Sequence, residues 1–112
     1  MQFTEEEIQK IKDFSNELYK GSDLFKKVVT NVCILTGNDI TEVLKKNKKA
    51  DNVYCRSLIS YALYNKGISK GAIAKMQGCQ ERMIIIHVKK IKMESEINEH
   101  VSNNVKSLLR SL

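Results

Sequence analysis

The apolar residues of this chain recur every three to four positions, which is the spacing of one face of an α-helix. Ile8, Ile11, Phe14 and Leu18 show it first, in a segment whose start, Thr4 followed by three glutamates, is typical of a capped helix. The chain has no proline and only five glycines, so little interrupts long helices. The pattern predicts an all-α fold, a multi-helix bundle.

Three more helices are predicted over residues 23–36, 40–46 and 53–65. Gly37 ends the first of them, and Asp39 caps the second. The third is apolar nearly all the way round, so we expect it to be the central helix, surrounded by the others. The inward residues of the first two are Leu24, Val28, Val32, Leu35, Val43 and Leu44.

Residues 67–91 have the pattern of a helix-turn-helix, with helices expected over 69–77 and 80–93. The run MIIIHV has a strand-like composition, but Ile84, Val88 and Ile91 keep helical spacing, which favours a helix. An ordinary helical hairpin would show the same pattern. The residues that define the motif are Ser69 as helix cap, Ile73 and Ala74 as the inward face, Gly78 as a left-handed turn, and Ile84 as the anchor of the second helix.

The second helix of this motif carries a mixed outward face. Gln80 and Glu81 lie at its start, where recognition helices read base edges. The face opposite the core carries Arg82, Met83, Ile86, Lys89, Lys90 and Met93. Its basic residues suit phosphates, whereas its apolar residues suit either thymine methyl groups or a protein partner.

A closing amphipathic helix is predicted from Glu96, with Ser95 as its cap. Its apolar face consists of Ile97, Val101, Val105, Leu108, Leu109 and Leu112. The length supports one domain, which we expect over residues 22–112, preceded by an amphipathic helix at 1–21 that packs on the body or reaches a partner chain.

Charge is distributed unevenly along the chain. Residues 21–93 hold fourteen Lys and Arg and five acidic residues, a net +9, whereas residues 1–20 carry −2 and residues 94–112 carry −1. Such a basic segment attracts phosphate backbones, although a lysine-rich solvated surface has the same composition. The loop KKNKKADN, residues 45–52, is well placed for a DNA backbone.

Several classes of protein do not fit the composition. No apolar run approaches a membrane span, and MQFTEEEIQKIK does not begin as a secretory signal does, so we expect a soluble, cytoplasmic protein. Cys33, Cys55 and Cys79 lack metal-ligand spacing and are expected to be reduced, mostly buried thiols. His87 and His100 have no companion ligands, so we expect no metal or cofactor site, and no catalytic pair is discernible.

The order of segments resembles the C-terminal DNA-binding domain of the bacterial replication initiator DnaA. VVTNVCILTG, DITEVLKKNKK, CRSLISYALYNKGIS, AIAKMQG, HVKKI and SLLRSL carry the resemblance, which covers residues 23–112. It implies an all-helical unit of the Trp-repressor type whose helix-turn-helix reads a short duplex box in the major groove. It also implies that Arg56 enters the minor groove and that Lys45, Lys46, Lys48 and Lys49 form the basic loop.

The signature of that family is replaced here. Where the family has Gly-Gly-Arg-Asp-His-Thr-Thr-Val, residues 77–84 read QGCQERMI. Gln80 and Arg82 suit adenine and guanine, and Glu81 can accept from cytosine. We therefore expect that the ordinary DnaA box is not this protein's site. The nucleotide-binding loop of DnaA is also missing, because the chain has no Gly-x-x-x-x-Gly-Lys-Ser/Thr.

Two functions follow from these patterns. The first is a stand-alone duplex DNA-binding protein, in replication initiation or transcription control and not an enzyme. Base edges would be read by Gln80, Glu81, Arg82 and Met83, and the backbone or minor groove contacted by Arg56, Lys45, Lys46, Lys48, Lys49, Ser69, Lys70, Lys89 and Lys90. The alternative is a protein-interaction module that keeps the fold but does not recognise DNA sequence. It would bind a partner protein or another copy of the chain through Met83, Ile86, Met93 or the N-terminal helix.

Overall fold

We describe the fold from a computed structural model, which describes residues 4–9, 23–44 and 50–112. The described residues form helices and connecting turns, with no strand among them, so the predicted all-α class is confirmed. Residues 83–88, the strand-like run, are helical. The elements are α1, of which residues 5–9 are described, α2 (Asp23–Thr36), α3 (Ile40–Leu44), α4 (Ala50–Asn65), α5 (Lys70–Gln77), α6 (Glu81–Ile97) and α7 (Glu99–Arg110).

The start of α1 is capped as predicted. The Glu7 amide donates to Thr4 Oγ1 at 3.2 Å, and the Thr4 amide and hydroxyl both donate to Glu7 Oε1. This reciprocal pairing satisfies backbone donors that the first helical turn leaves open. Ile11, Phe14 and Leu18, on which the amphipathic pattern of this segment also depends, lie outside the described residues.

Helix α2 has the predicted bounds, and glycine ends it. Gly37 adopts a φ of 75°, and its amide donates to Cys33 O at 3.0 Å. Val28 and Val32 are buried as expected, whereas Leu24 and Leu35 are only partly buried at the edge of a face that also buries Phe25. In the following turn, Asp39 Oδ1 accepts from the Thr41 amide at 2.7 Å, which confirms the predicted cap of α3.

Helix α4 is the centre of the bundle, as predicted, and packs against α2, α3, α5, α6 and α7. Its inward residues, among them Leu58, Ile59 and Leu63, are fully buried. The expected start at residue 53 is wrong, because the helix begins at Ala50 and includes three residues assigned to the basic loop. The polar residues at this position were predicted to belong to a loop, but Asn52 is buried in the first turn of α4. The lysines at 45, 46, 48 and 49 lie outside the described residues.

The boundary between α6 and α7 also differs from the prediction. Helix α6 runs four residues beyond the expected end, and α7 is capped by Asn98, whose Oδ1 accepts from the Val101 amide at 3.2 Å. Ser95, the predicted cap, lies within α6, and its hydroxyl donates to Lys92 O. As a result Ile97 is 85% exposed and not part of the core face of α7, whereas Val101, Val105 and Leu108 are buried as expected.

Buried residues from α2 to α7 form one continuous core. Within the described ranges, every buried side-chain nitrogen and oxygen has a hydrogen-bond partner. None of the helices described is long and apolar enough to cross a membrane.

Candidate nucleic-acid interface

The turn between α5 and α6 is built by local backbone chemistry. Ser69 caps α5 by accepting from the Ala72 amide at 3.2 Å. At the other end Gly78 adopts the left-handed conformation, with φ 66° and ψ 37°, and the Cys79 amide reaches back to Ala74 O at 3.0 Å. This is the Schellman type of helix end, in which glycine avoids the strain that a Cβ would meet. The predicted cap and turn are confirmed.

The inward side of this hairpin is anchored in the core. Ile73 and Ala74 of α5 are buried, and so are Ile84 and Ile91 of α6. These residues hold α5 and α6 against each other and against α4. The predicted anchors are therefore confirmed, and α6 has a fixed orientation relative to the bundle.

The outward side of α6 is open to solvent. The predicted residues of this face are all exposed: Arg82, Met83, Ile86, Lys89, Lys90 and Met93. Within the part of the chain that the structure describes, no salt bridge engages Arg82, Lys89 or Lys90. The face combines uncompensated positive charge with apolar surface.

The four residues at the start of α6 that were predicted to contact bases do not all point away from the bundle. Gln80 is the N-cap residue by backbone conformation, yet its exposed side chain makes no capping hydrogen bond. The side chain of Glu81 lies close to α5. If Gly71 carried a Cβ atom, that atom would be 3.7 Å from Glu81 Oε2. The side chains of Gln80, Arg82 and Met83 are thus exposed at this end, and Glu81 is exposed beside α5.

Two further predicted contact residues have partners within the chain. Arg56, expected to direct its head group to solvent or to a partner, is half-buried, and its Nη1 donates to Val43 O at 3.2 Å, near the end of α3. The ammonium group of Lys70 lies 5.5 Å from the centre of the Tyr64 ring, a cation–π contact at the start of α5. Both side chains help to hold the bundle.

A buried polar network lies behind the hairpin and was not predicted from the sequence. His87 Nδ1 lies 2.8 Å from Ser60 Oγ, and Gln77 Nε2 donates both to Ser60 Oγ and to Arg56 O. The Ser60 hydroxyl in turn donates to Arg56 O at 3.1 Å, so a His87 Nδ1–H donating to Ser60 completes the network. The network ties α4 to both helices of the hairpin.

The charge state of His87 follows from this environment. Burial, together with the positive charges of Arg56 and Lys90, lowers the pKa of His87 to about 4. The imidazole is therefore neutral near pH 7. Its inward position was readable from the sequence, three residues after Ile84 and four before Ile91, but its partners were not.

The thiols are free and mostly buried, as predicted. Cys33 and Cys55 are buried and Cys79 is half-buried. Burial raises the pKa of the Cys33 thiol to about 12, with smaller contributions from Cys55 and Asp39, so this thiol is unreactive near neutral pH. Among the described residues, no group of three or more His, Cys, Asp or Glu side chains is arranged to hold a metal ion.

A scan against protein-family models and searches of curated proteins and of solved structures found no match to this chain.

Proposed function

We propose that this protein binds duplex DNA with the α5–α6 hairpin as a helix-turn-helix. In this proposal the start of α6 enters the major groove, in the service of replication initiation or transcription control. The observation that carries it is the outward face of α6, whose exposed arginine and lysines have no acidic partner within the described residues. A polyanion would compensate that charge.

The order of residues on α6 supports this orientation. Gln80, Arg82 and Met83 are exposed at the start of the helix, next to the glycine turn. Their side chains suit adenine, guanine and the thymine methyl group, respectively. Lys89, two turns further along, suits a phosphate of the same groove. The residues differ from those of the DnaA signature, so the preferred site should differ from the ordinary DnaA box.

A salt titration with duplex DNA tests the proposal. The affinity of the wild-type protein should fall steeply with log salt, and Arg82→Glu should weaken binding by about tenfold or more. Arg110→Glu is the matched control, since Arg110 is also exposed but lies at the end of α7. Equal effects of the two exchanges, or no binding by the wild-type protein at low salt, would contradict the proposal.

Selection from a pool of random duplexes then tests base reading. Enrichment of one short motif, lost on replacing Gln80 or Arg82 with alanine, is the expected result. Enrichment of the ordinary DnaA box would overturn the expectation of a different site.

One observation favours a second candidate, a protein-interaction module. Ile86 and Met93 are 48% and 65% exposed on the outward face of α6, and an exposed apolar stripe often meets another protein. This function predicts no duplex binding at low salt and loss of the partner on replacing Met83 or Ile86 with glutamate.

A further inference from the structure

The largest exposed apolar side chains of α6 lie in one line along the helix. Ile86, Met93 and Ile97 are 48%, 65% and 85% exposed, and Lys90 lies between them, also exposed. These four residues, which we call the α6 seam, are spaced four, three and four positions apart. That is the spacing of the contact positions of a two-stranded coiled coil, in which one polar residue is tolerated and sets the register.

The seam shares Ile86, Lys90 and Met93 with the outward face of α6 and extends that face to Ile97. At 100° per residue it lies about two-fifths of a turn away from the buried face of Ile84 and Ile91. Met93 and Ile97 lie roughly 18 and 24 Å along the axis from Glu81, far from the turns that read bases. Neither the core nor the proposed reading of DNA accounts for these two residues.

Charge complementarity identifies the occupant. The residues that flank the seam on its outer side are Lys89 in its first half and Glu96 in its second half, both exposed. If a second copy of α6 lies antiparallel, Ile86 packs opposite the other copy's Ile97 and Lys90 opposite its Met93. In that register each Lys89 lies beside the Glu96 of the other copy, at two places related by a twofold axis.

The parallel arrangement lacks this advantage. It would place Lys90 directly opposite Lys90 in the middle of the seam, and like charges at such a position oppose association. In the antiparallel register the aliphatic part of Lys90 covers the methionine and its ammonium group extends to water.

We propose that the protein self-associates through antiparallel pairing of two α6 seams, about a twofold axis between Ile91 and Lys92. The contact is short, about four layers, so the dimer is weak and reversible. The proposal does not depend on DNA binding, and its test is made without DNA, so the two can fail separately.

The test is a charge exchange measured by sedimentation over a series of protein concentrations. Lys89→Glu alone and Glu96→Lys alone should each weaken self-association by about tenfold or more, because each creates two like-charge contacts in the dimer. An equimolar mixture of the two single variants should associate again, since every contact between the unlike chains is then of opposite charge. The double variant should also regain association.

Lys92→Glu is the control, because Lys92 is exposed on α6 but outside the seam. It should leave the mass distribution unchanged, whereas Ile97→Glu should abolish association. Circular dichroism confirms that each variant is folded. A wild-type protein that stays monomeric throughout the series, or single variants whose mixture fails to associate, would overturn the proposal, as would an effect of Lys92→Glu as large as that of Lys89→Glu.

Discussion

Helix α6 has two sides that follow different rules. On the inward side Ile84 and Ile91 are fully buried, and the one polar residue, His87, has a hydrogen-bond partner. On the outward side Arg82 and Lys89 have no acidic partner within the described residues, and they lie among exposed apolar side chains. The inward side is explained by the folding of this chain alone.

The stability of the fold does not explain the residues on the outward side. Exposed isoleucine and methionine contribute little to folding, and unpaired lysines contribute nothing. Packing against the bundle accounts for the inward side, and under both of our proposals the outward side binds a molecule outside it. Substitutions on the two sides should therefore separate stability from binding.

The strongest test of this comparison uses two isoleucines of the same helix. Ile84→Ala should lower the free energy of unfolding by about 2–4 kcal/mol, because it removes a fully buried side chain and leaves a cavity. Ile86→Ala, two residues away and 48% exposed, should change it by less than about 1 kcal/mol. Urea denaturation at dilute protein concentration measures both. Equal losses would mean that the outward side is covered within the folded monomer.

The next largest expected effect is the pH dependence of stability that His87 causes. Its pKa of about 4 in the folded chain lies below its ordinary value of 6.5, so between these values the unfolded chain binds more protons. The contribution of His87 to stability is therefore complete above pH 6.5. It falls as the pH falls through this window and levels off near pH 4. We expect a loss on the order of 1–2 kcal/mol, less than the full shift implies, because water screens part of the interaction with Arg56 and Lys90.

The measurement compares urea denaturation of the wild type and of His87→Gln across this pH range. Carboxylates titrate in both proteins, so the difference between the two curves isolates the imidazole. The difference should shrink as the pH falls, since the variant lacks the group that takes up the proton. His100→Gln is the control, because His100 is exposed on α7, and it should keep the wild-type pH dependence.

Those parts of α5 and α6 that depend on local chemistry were predicted from the sequence. Ser69 and Gly78 act on backbone groups within a few residues, so the bounds of α5 and the left-handed turn followed from residue type alone. The inward phase of Ile84 and Ile91 followed from helical periodicity. The exposure of Arg82 and Lys89 followed from the same periodicity, because they lie opposite that face.

Features that depend on distant parts of the chain were not predictable in this way. Ser60, which bonds to His87, is 27 residues away from it in sequence. Arg56 was expected to reach outward, yet a carbonyl of α3 accepts a hydrogen bond from it. The end of α6 was placed too early because Ser95 and Asn98 are both suitable caps, and the choice between them depends on how α7 packs.

The smallest expected change in stability concerns the boundary between α6 and α7. Asn98→Ala should destabilise the protein by about 1 kcal/mol, because the side chain that accepts from the Val101 amide is lost. Ser95→Ala should change stability by less than about 0.5 kcal/mol, since alanine favours the interior of a helix and the hydroxyl bonds only to Lys92 O. Thermal and urea denaturation of the two variants provide the measurement. If Ser95→Ala were the more damaging exchange, α6 would end before Ile97, that residue would belong to the core face of α7, and the α6 seam would lose its most exposed member.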